Sequence, residues 1–204
     1  MTNNNTQYTF FFHLTSPFSN FHPAKFSYRE YTFISNEQFM MFSKAKNFKD
    51  EVSAQKIIDI NNEPLARDFI EGTITREQII KNKELSAQWQ NLMMKAKKLG
   101  RGVKNYDETF WNQKREKIVL FGAREKFNQN PDLKHILMNT GDTSMVESSP
   151  YDKIWGIGLS EYDAKRTPPE KWPGLNLLGK VLDRLKTEFN NTLTPQVLKE
   201  KKKI

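Results

Sequence analysis

The stretch FSYREYTFISNEQFMMFSKA at positions 26–45 decides the fold. Its first half alternates aromatic and polar residues on both sides of Arg29-Glu30, a pattern that predicts a short β-hairpin. Ser35 and Gln38 then match a capping box, in which the hydroxyl and the amide cover free backbone N–H groups. A helix of about ten residues is expected to follow. A hairpin joined directly to a helix favours an α+β fold.

Elements outside this stretch are mostly helical. Residues 7–12 are rich in aromatic types and predict one more strand. Short helices are expected over 50–70, a long helical pattern from Thr75 to Gly100, and later helices beginning at Asp107 and Pro131. A closing helix is expected from about Leu177 to Phe189, after a long irregular region over 139–176. The predicted architecture is one mostly helical α+β domain with a small antiparallel sheet, over residues 7–189, between a flexible N-terminus (1–6) and a basic C-terminal tail (190–204).

Composition narrows the class of protein. The chain has 204 residues and no cysteine, which excludes disulfide frameworks and thiolate chemistry. Its 32 basic and 24 acidic residues give a net charge of +8, of which the stretch 199–203 supplies three, so charge alone is a weak argument for nucleic acid. No apolar run approaches the roughly 18 residues of a membrane span, and the N-terminus lacks a signal pattern. A cytoplasmic protein with no membrane partner is expected.

Common catalytic motifs are missing from the sequence. The histidines, at positions 13, 22 and 135, are scattered and lack metal-ligand spacing, so no metal site is expected. The sequence contains neither a P-loop nor a G-x-S-x-G elbow. The stretch LGRGV at 99–103 leaves two interpretations open: a phosphate site made of backbone N–H groups and Arg101, or a helix C-cap followed by a turn.

Two groups of residues suggest chemistry. Glu37 and Lys44 stand seven residues apart, two helical turns, and project from one face of the helix after Ser35. They are either reactive groups or two charges on a solvated surface. The segment from Glu147 to Gly158 places Trp155 between two carboxylates and a Gly-x-Gly. This tryptophan either stacks on a base of a ligand or plugs the loop onto the core.

Short sequence blocks occur in an order that resembles the YbiA-like, or NADAR, domain family. The blocks are SPFSNF (16–21), SNEQFMMFSKA (35–45), LGRGV (99–103), Tyr106-Asp107 followed by Trp111, KFNQN (126–130), LMNTG (137–141), VESSPYDKIWGIG (146–158) and WPGLNLLG (172–179). The resemblance covers about Phe10 to Phe189. Any one block is weak, whereas their shared order is specific.

This resemblance implies cleavage of N-glycosidic bonds. It implies that the protein removes ADP-ribose from guanine in nucleotides or nucleic acid, with hydrolysis of a phosphoribosylamino-pyrimidine of riboflavin synthesis, or non-catalytic ADP-ribose binding, as alternatives. It also implies that Glu37 and Lys44 are catalytic. The implied substrate-binding residues are Ser19, Asn20, Phe21, Arg101, Gly102, Trp111, Glu147, Asp152, Trp155, Gly156, Asn176 and Gly179. No cofactor or metal is implied, and the oligomeric state is left open.

The sequence departs from the family at two places. The hairpin turn, which often contains glycine in the family, is Arg29-Glu30 here. The stretch between Lys46 and Leu99 is longer than in compact members, which predicts a lid or extra helices that alter substrate choice.

Cleavage of an N-glycosidic bond by Glu37 and Lys44 has two possible routes. A carboxylate stabilises the positive charge that develops at the ribose C1′ and assists water. A deprotonated lysine instead adds to C1′ and gives an imine with an opened ribose. The basic surface and the longer middle region favour the larger ADP-ribosylated substrate.

Overall fold

A computed structural model describes residues 7–200, with side chains to residue 192. The strands are β1 (Tyr8–Phe11), β2 (Phe26–Tyr28), β3 (Tyr31–Phe33) and β4 (Ser144–Glu147). The α-helices are α1 (Asn36–Asn47), α2 (Glu51–Ile58), α3 (Pro64–Glu71), α4 (Arg76–Lys81), α5 (Lys83–Arg101), α6 (Glu108–Asn128), α7 (Pro131–Met138), α8 (Glu161–Ala164) and α9 (Leu177–Glu200), with 3₁₀ turns at Asp59–Asn62 and Pro169–Lys171. The predicted flexible segment 1–6 lies outside the described residues.

The α+β class, mostly helical with a small antiparallel sheet, is confirmed. β2 and β3 form the expected hairpin, with Phe26 opposite Phe33 and Tyr28 opposite Tyr31. The sequence did not reveal that β1 pairs in parallel with β4, with Tyr8 opposite Ser144 and Phe11 opposite Glu147. The irregular region predicted over 139–176 therefore contains a strand. The closing helix continues to Glu200, beyond the end predicted at Phe189.

The chain divides into two compact units. The larger unit, Phe12–His135, contains the hairpin and helices α1 to α6. One part of its core is a set of fully buried side chains around Trp89, which Phe69 meets edge to face at 5.1 Å between ring centroids. The smaller unit, made of the described residues up to Phe11 and from Ile136 onward, contains the β1–β4 pair. Trp172 packs against Tyr8 and Phe10 there.

The turn of the hairpin has an unfavourable backbone conformation. Arg29 has a φ angle of 53°, in the left-handed region that favours glycine. For a residue with a Cβ this conformation costs about 1–2 kcal/mol. Its side chain is exposed, and its guanidinium carbon lies 5.3 Å from the centroid of the Tyr28 ring.

Two glycines allow α1 to be enclosed by longer helices. A Cβ on Gly100 of α5 would lie 2.1 Å from the Met41 sulfur of α1. A Cβ on Gly122 of α6 would lie 2.1 Å from the Asn36 side-chain oxygen and 2.4 Å from the Phe39 ring. Both helices therefore approach α1 closely, and each approach depends on the missing side chain. Within the described chain, no helix is both long and apolar enough to cross a bilayer.

Gly122→Ala is expected to destabilise the protein by about 1–3 kcal/mol, because the added methyl group overlaps Phe39 and Asn36. Urea unfolding measures the change. Gly102→Ala is the matched control, because its nearest atom, the Leu99 carbonyl oxygen, lies at an ordinary 3.6 Å. Equal stability of both variants would contradict close packing of α6 on α1.

Candidate functional site

The N-terminus of α1 is buried, and side chains from several segments satisfy its polar groups. The Ser35 hydroxyl accepts the N–H of Gln38 at 3.1 Å, as the capping pattern predicts. The Gln38 amide does not return to Ser35. Its oxygen accepts the N–H of Ile34 at 3.0 Å, and its nitrogen donates to the Ile57 carbonyl at 2.9 Å. Gln38 therefore joins α1 to the preceding strand and to α2, which corrects the predicted capping box.

The predicted binding residue Asn20 is fixed to the same helix end. Its carbonyl oxygen accepts the N–H of Glu37 at 2.9 Å, and its side-chain oxygen accepts from the Asn36 amide at 2.8 Å. Glu37 itself is only 2% exposed and lies in the first turn of α1, where the helix dipole favours a negative charge. The structure thus brings Asn20 and Glu37 together, and their roles toward a substrate stay predictions.

Lys126 of α6 holds the loop that carries Asn20. Its ammonium is fully buried and donates to the carbonyl oxygens of Pro17 and Ser19, at 2.7 and 2.9 Å. Burial, together with the charge of Arg76, lowers the pKa of Lys126 to about 7. Lys126 occurs in one of the sequence blocks, but nothing in the sequence assigned it a role.

Ser19, Phe21 and His22 complete this loop. The Ser19 hydroxyl accepts the N–H of Phe21 at 3.2 Å, and the Phe21 carbonyl accepts the Trp89 indole N–H at 2.9 Å. Phe21 is partly buried against the Trp89 core. The His22 ring bonds the Leu14 carbonyl at 2.8 Å, and burial lowers its pKa to about 3. Ser19 and Phe21 therefore stabilise the loop, and their roles toward a substrate stay predictions.

Lys44, the second residue of the predicted Glu37–Lys44 pair, lies against two aromatic rings. Its ammonium nitrogen is 4.2 Å from the centroid of the Tyr106 ring and 5.4 Å from that of Trp111. Lys44 is 8% exposed, so a solvated pair of surface charges does not describe Glu37 and Lys44. Burial, and to a lesser extent the nearby charge of Arg101, lowers the pKa of Lys44 below its usual range. Lys44 therefore loses its proton more readily than a solvated lysine.

Tyr106 and Asp50 contribute to the surroundings of Lys44 but were not among the predicted site residues. The Asp50 carboxylate caps α2 through Ser53 and also accepts the N–H of Lys104 at 2.9 Å. This bond anchors the loop that leads to Tyr106. Burial raises the pKa of the Tyr106 hydroxyl, whose ring lies over Lys44. The aspartate before α2 was readable as a helix cap, whereas its bond to a residue 54 positions away was not.

The LGRGV segment is a helix C-cap. Gly100 lies inside α5, and the Gly102 N–H donates to the carbonyl oxygens of Lys98 and Leu99. The backbone N–H of Gly102 is therefore occupied by the helix end, which corrects the expectation that it holds phosphate. Arg101 is exposed and remains the one group of this segment able to meet an anion.

The other predicted residues lie in the smaller unit, around β4. The side-chain amide of Asn176 bonds the backbone of β4 as the backbone of a paired strand would. Its oxygen accepts the Glu147 N–H at 3.0 Å, and its nitrogen donates to the Met145 carbonyl at 2.9 Å. Asp152 accepts the N–H groups of Ile154 and Trp155 in a tight turn. Gly156 and Gly179 lie against backbone carbonyl oxygens, where a Cβ would clash. Four of these residues thus build the loop, and their contact with a substrate stays a prediction.

Trp155 and Trp172 differ in their surroundings. Trp172 packs on the core of the smaller unit and donates its indole N–H to the Thr167 carbonyl. Trp155 is half-buried, and within the described residues its ring stacks on no other ring and its indole N–H bonds no group. Its backbone carbonyl accepts the Leu178 N–H at the start of α9. The stacking role of the Trp155 ring remains a prediction.

No group of three or more potential metal-ligating side chains occurs within the part of the chain that the structure describes. The candidate site in the larger unit consists of Glu37, Lys44, Tyr106, Trp111 and Arg101 around α1. It offers a carboxylate, a desolvated amine, two ring faces and one exposed cation.

Comparison with known proteins agrees with this fold and these blocks. The solved structure of the Escherichia coli protein YbiA matches with a TM-score of 0.62, covering 93% of this chain and 88% of that one at 19% identity, which shows a shared fold. The model of the NADAR domain matches residues 72–190. An N-glycosidase of Acanthamoeba polyphaga mimivirus is 38% identical over 156 residues, 76% of this chain and 74% of the viral protein.

The protein belongs to the NADAR domain family. A riboflavin biosynthesis protein of Vibrio vulnificus is also similar, 33% identical over 92 residues. That similarity covers 45% of this chain and 22% of the Vibrio protein.

The stability of the protein is expected to rise between about pH 7 and pH 10, because the unfolded chain then binds a proton at Lys126 that the folded chain has lost. Urea midpoints at several pH values measure this rise. It should be much smaller in Lys126→Met. The pKa of His22 is also lowered, but its effect on stability lies below about pH 6.5 and is separable. An equal rise in wild type and Lys126→Met would contradict this assignment.

Proposed function

We propose that the protein is an N-glycosidase that cleaves the bond between a ribose and a base. The observation that carries the proposal is the burial of Glu37 and Lys44 on one face of α1, with Lys44 desolvated under Tyr106 and Trp111. An exposed binding surface has no need of a buried amine with a lowered pKa, whereas nucleophilic and proton-transfer chemistry does. The similarity to a viral N-glycosidase supports the same class of reaction.

The preferred route uses Lys44 as the nucleophile. Its neutral amine adds to C1′, the bond from C1′ to the base nitrogen breaks, and the base takes the electron pair and a proton. Loss of a proton from the new C1′–Nζ group and opening of the ribose give an imine, with the ring oxygen leaving as a hydroxyl. Water then hydrolyses the imine and restores the amine. Its lowered pKa supports this role because only the deprotonated amine is nucleophilic.

Glu37 supplies the negative charge of the site. A carboxylate near C1′ stabilises the positive charge that develops there as the base departs. In the alternative route Glu37 activates water directly and Lys44 serves only as a charge. The seven-residue spacing separates the two backbone positions by roughly 10 Å along the helix, a span that their side chains and a ribose can bridge.

ADP-ribose attached to guanine is the proposed substrate. Arg101 is exposed beside Lys44 and is suited to a phosphate of the diphosphate group. The excess of basic residues supports a polyanionic substrate, including ADP-ribosylated nucleic acid. The similarity to a riboflavin biosynthesis protein favours a second candidate, a phosphoribosylamino-pyrimidine, whose single phosphate would occupy the same position.

Lys44→Ala and Lys44→Arg are both expected to lose at least ~100-fold in turnover while the fold and ADP-ribose binding persist, because arginine keeps the charge but does not form an imine. The protein is incubated with ADP-ribosylated guanosine, ADP-ribosylated DNA and the phosphoribosylamino-pyrimidine, and base release is followed by mass spectrometry. Lys56→Ala, an exposed lysine of α2, is the control.

An active Lys44→Arg variant would remove the imine route and leave Glu37 with water. Activity in Lys44→Ala as well would contradict any role for this lysine. Binding of ADP-ribose without release of base from any of the three substrates would identify a non-catalytic module.

Arg101→Gln is expected to move the rising limb of the pH–rate profile to higher pH, because the charge of Arg101 helps to lower the pKa of Lys44. The profile of kcat/KM is measured from about pH 6 to pH 10. If Arg101 served only to bind phosphate, KM for phosphorylated substrates would rise while the position of the limb stayed unchanged.

A further inference from the structure

A cavity separate from the candidate catalytic site lies between the β2–β3 hairpin, α1 and α6. Its volume is about 460 Å³, within the range of small-ligand sites. We call it the hairpin groove, and its lining consists of Tyr28, Arg29, Glu30, Tyr31, Phe39, Phe42, Ser43, Lys46, Asn47, Lys114, Lys117, Ile118 and Phe121. None of the residues of the candidate catalytic site is among them.

The groove and the candidate site use opposite faces of α1. Successive residues of an α-helix turn by about 100°, so Glu37 and Lys44 share one direction. Phe39, Phe42 and Lys46 point about 140–200° away from it on the same helical wheel. A ligand in the hairpin groove would therefore lie behind α1 as seen from Lys44.

Aromatic rings form the floor of the groove. Tyr28 meets Phe121 edge to face at 4.8 Å between centroids, and Tyr31 meets Phe42 at 4.7 Å. Both tyrosines are half-buried, and within the described chain neither hydroxyl bonds another group. The floor thus offers aromatic ring surface and two tyrosine hydroxyl groups that make no hydrogen bond within the described chain. This combination is suited to binding a planar heterocycle.

The rim of the groove is cationic. Arg29, Lys114 and Lys117 are exposed and form no ion pair within the described residues, whereas Lys46 is paired with Glu51 at 2.6 Å. Glu30 is the single acidic residue in the lining. Three unpaired cations around an aromatic floor are complementary to a ligand that carries both a flat ring and a negative group.

The conformation of Arg29 adds an independent observation. Its φ of 53° is one that glycine adopts without strain, yet the position holds an arginine whose guanidinium lies over Tyr28 at the rim. The two-residue hairpin turn requires a positive φ at this position, so arginine here costs stability that glycine would not and places a guanidinium at the rim of the groove. Lys49 has the same feature, with a φ of 57°, but lies outside the groove, so it provides a matched comparison.

We propose that the hairpin groove binds a nucleoside phosphate, with the base on the tyrosine and phenylalanine rings and the phosphate between Arg29, Lys114 and Lys117. The ligand is either a free nucleotide or one nucleotide of a strand, because both present the same base and phosphate. This site is separate from the proposed glycosidase site, and its test does not depend on any turnover.

Photo-labelling with 8-azido-AMP locates the site on the full-length protein. Tryptic peptides 26–29 and 118–124 carry Tyr28 and Phe121 and report on the groove alone. Within peptide 105–114, label on Tyr106 or Trp111 reports on the candidate catalytic site, whereas label on Lys114 reports on the groove. Label on the first two peptides is the expected result. Label confined to Tyr106 or Trp111, or no specific label, would overturn the proposal.

Variants measure what the rim contributes. Binding of AMP by calorimetry is expected to weaken at least about fivefold in Arg29→Gly and tenfold in Lys114→Glu/Lys117→Glu. Lys49→Gly removes one charge at another left-handed position, and Lys56→Glu/Lys83→Glu makes the same change in net charge outside the groove; both should stay within about twofold. Melting temperatures should not fall in Arg29→Gly. Equal losses in the rim variants and their controls would refute the groove as the site.

A second ligand distinguishes the two sources of the nucleotide, a free nucleotide and one nucleotide of a strand. An eight-nucleotide fluorescein-labelled oligothymidylate that binds more tightly than AMP, with a steep loss of affinity in salt, identifies a strand as the ligand. AMP that binds at least as tightly as the oligonucleotide identifies a free nucleotide. Binding of neither ligand would refute the proposal.

Discussion

The buried start of α1 is the constraint on which the larger unit depends. The first N–H groups of a helix have no partner within it, and each one left unsatisfied in a dry interior costs about 1–3 kcal/mol. Here the hydroxyl of Ser35 and the carbonyl of Asn20 accept two of them, from Gln38 and Glu37. The segment before the hairpin must therefore reach the helix end, and Lys126 holds it there from α6. The burial of Glu37 follows from this capping arrangement.

Local signals made most of the fold predictable. Capping by Ser35 and Asp107, the proline that opens α7 and the alternation in the hairpin all act within a few residues, so the sequence reveals them directly. The pairing of β1 with β4 joins positions more than 130 residues apart, and no local pattern encodes it. The partners of Gln38 were hidden too, because the amide bonds Ile34 rather than Ser35 and also reaches Ile57, 19 positions further along the chain.

The candidate site was predictable in its charged groups but not in their surroundings. Helical spacing places Glu37 and Lys44 on one face, and resemblance to the family singles them out. Spacing does not say whether that face is buried, which depends on the packing of other helices on it, including the approach of α5 to Met41 at Gly100. Tyr106 reaches Lys44 because Asp50 holds the preceding loop through Lys104, a connection between distant segments. The candidate charged residues could thus be predicted from residue type and spacing, whereas their surroundings are known only from the packing.

The surroundings of Lys44 act on its pKa in two opposing directions. The faces of Tyr106 and Trp111 attract an ammonium, whereas burial and the charge of Arg101 disfavour it. A phosphate bound to Arg101 would offset that charge and weaken its influence, so phosphate binding at Arg101 opposes deprotonation of Lys44. Closure of the pocket around a ribose would remove water and act in the other direction. In the proposed mechanism the two parts of the substrate would therefore act in opposite directions on Lys44: the phosphate would favour its charged form, and the enclosed sugar its neutral, nucleophilic form.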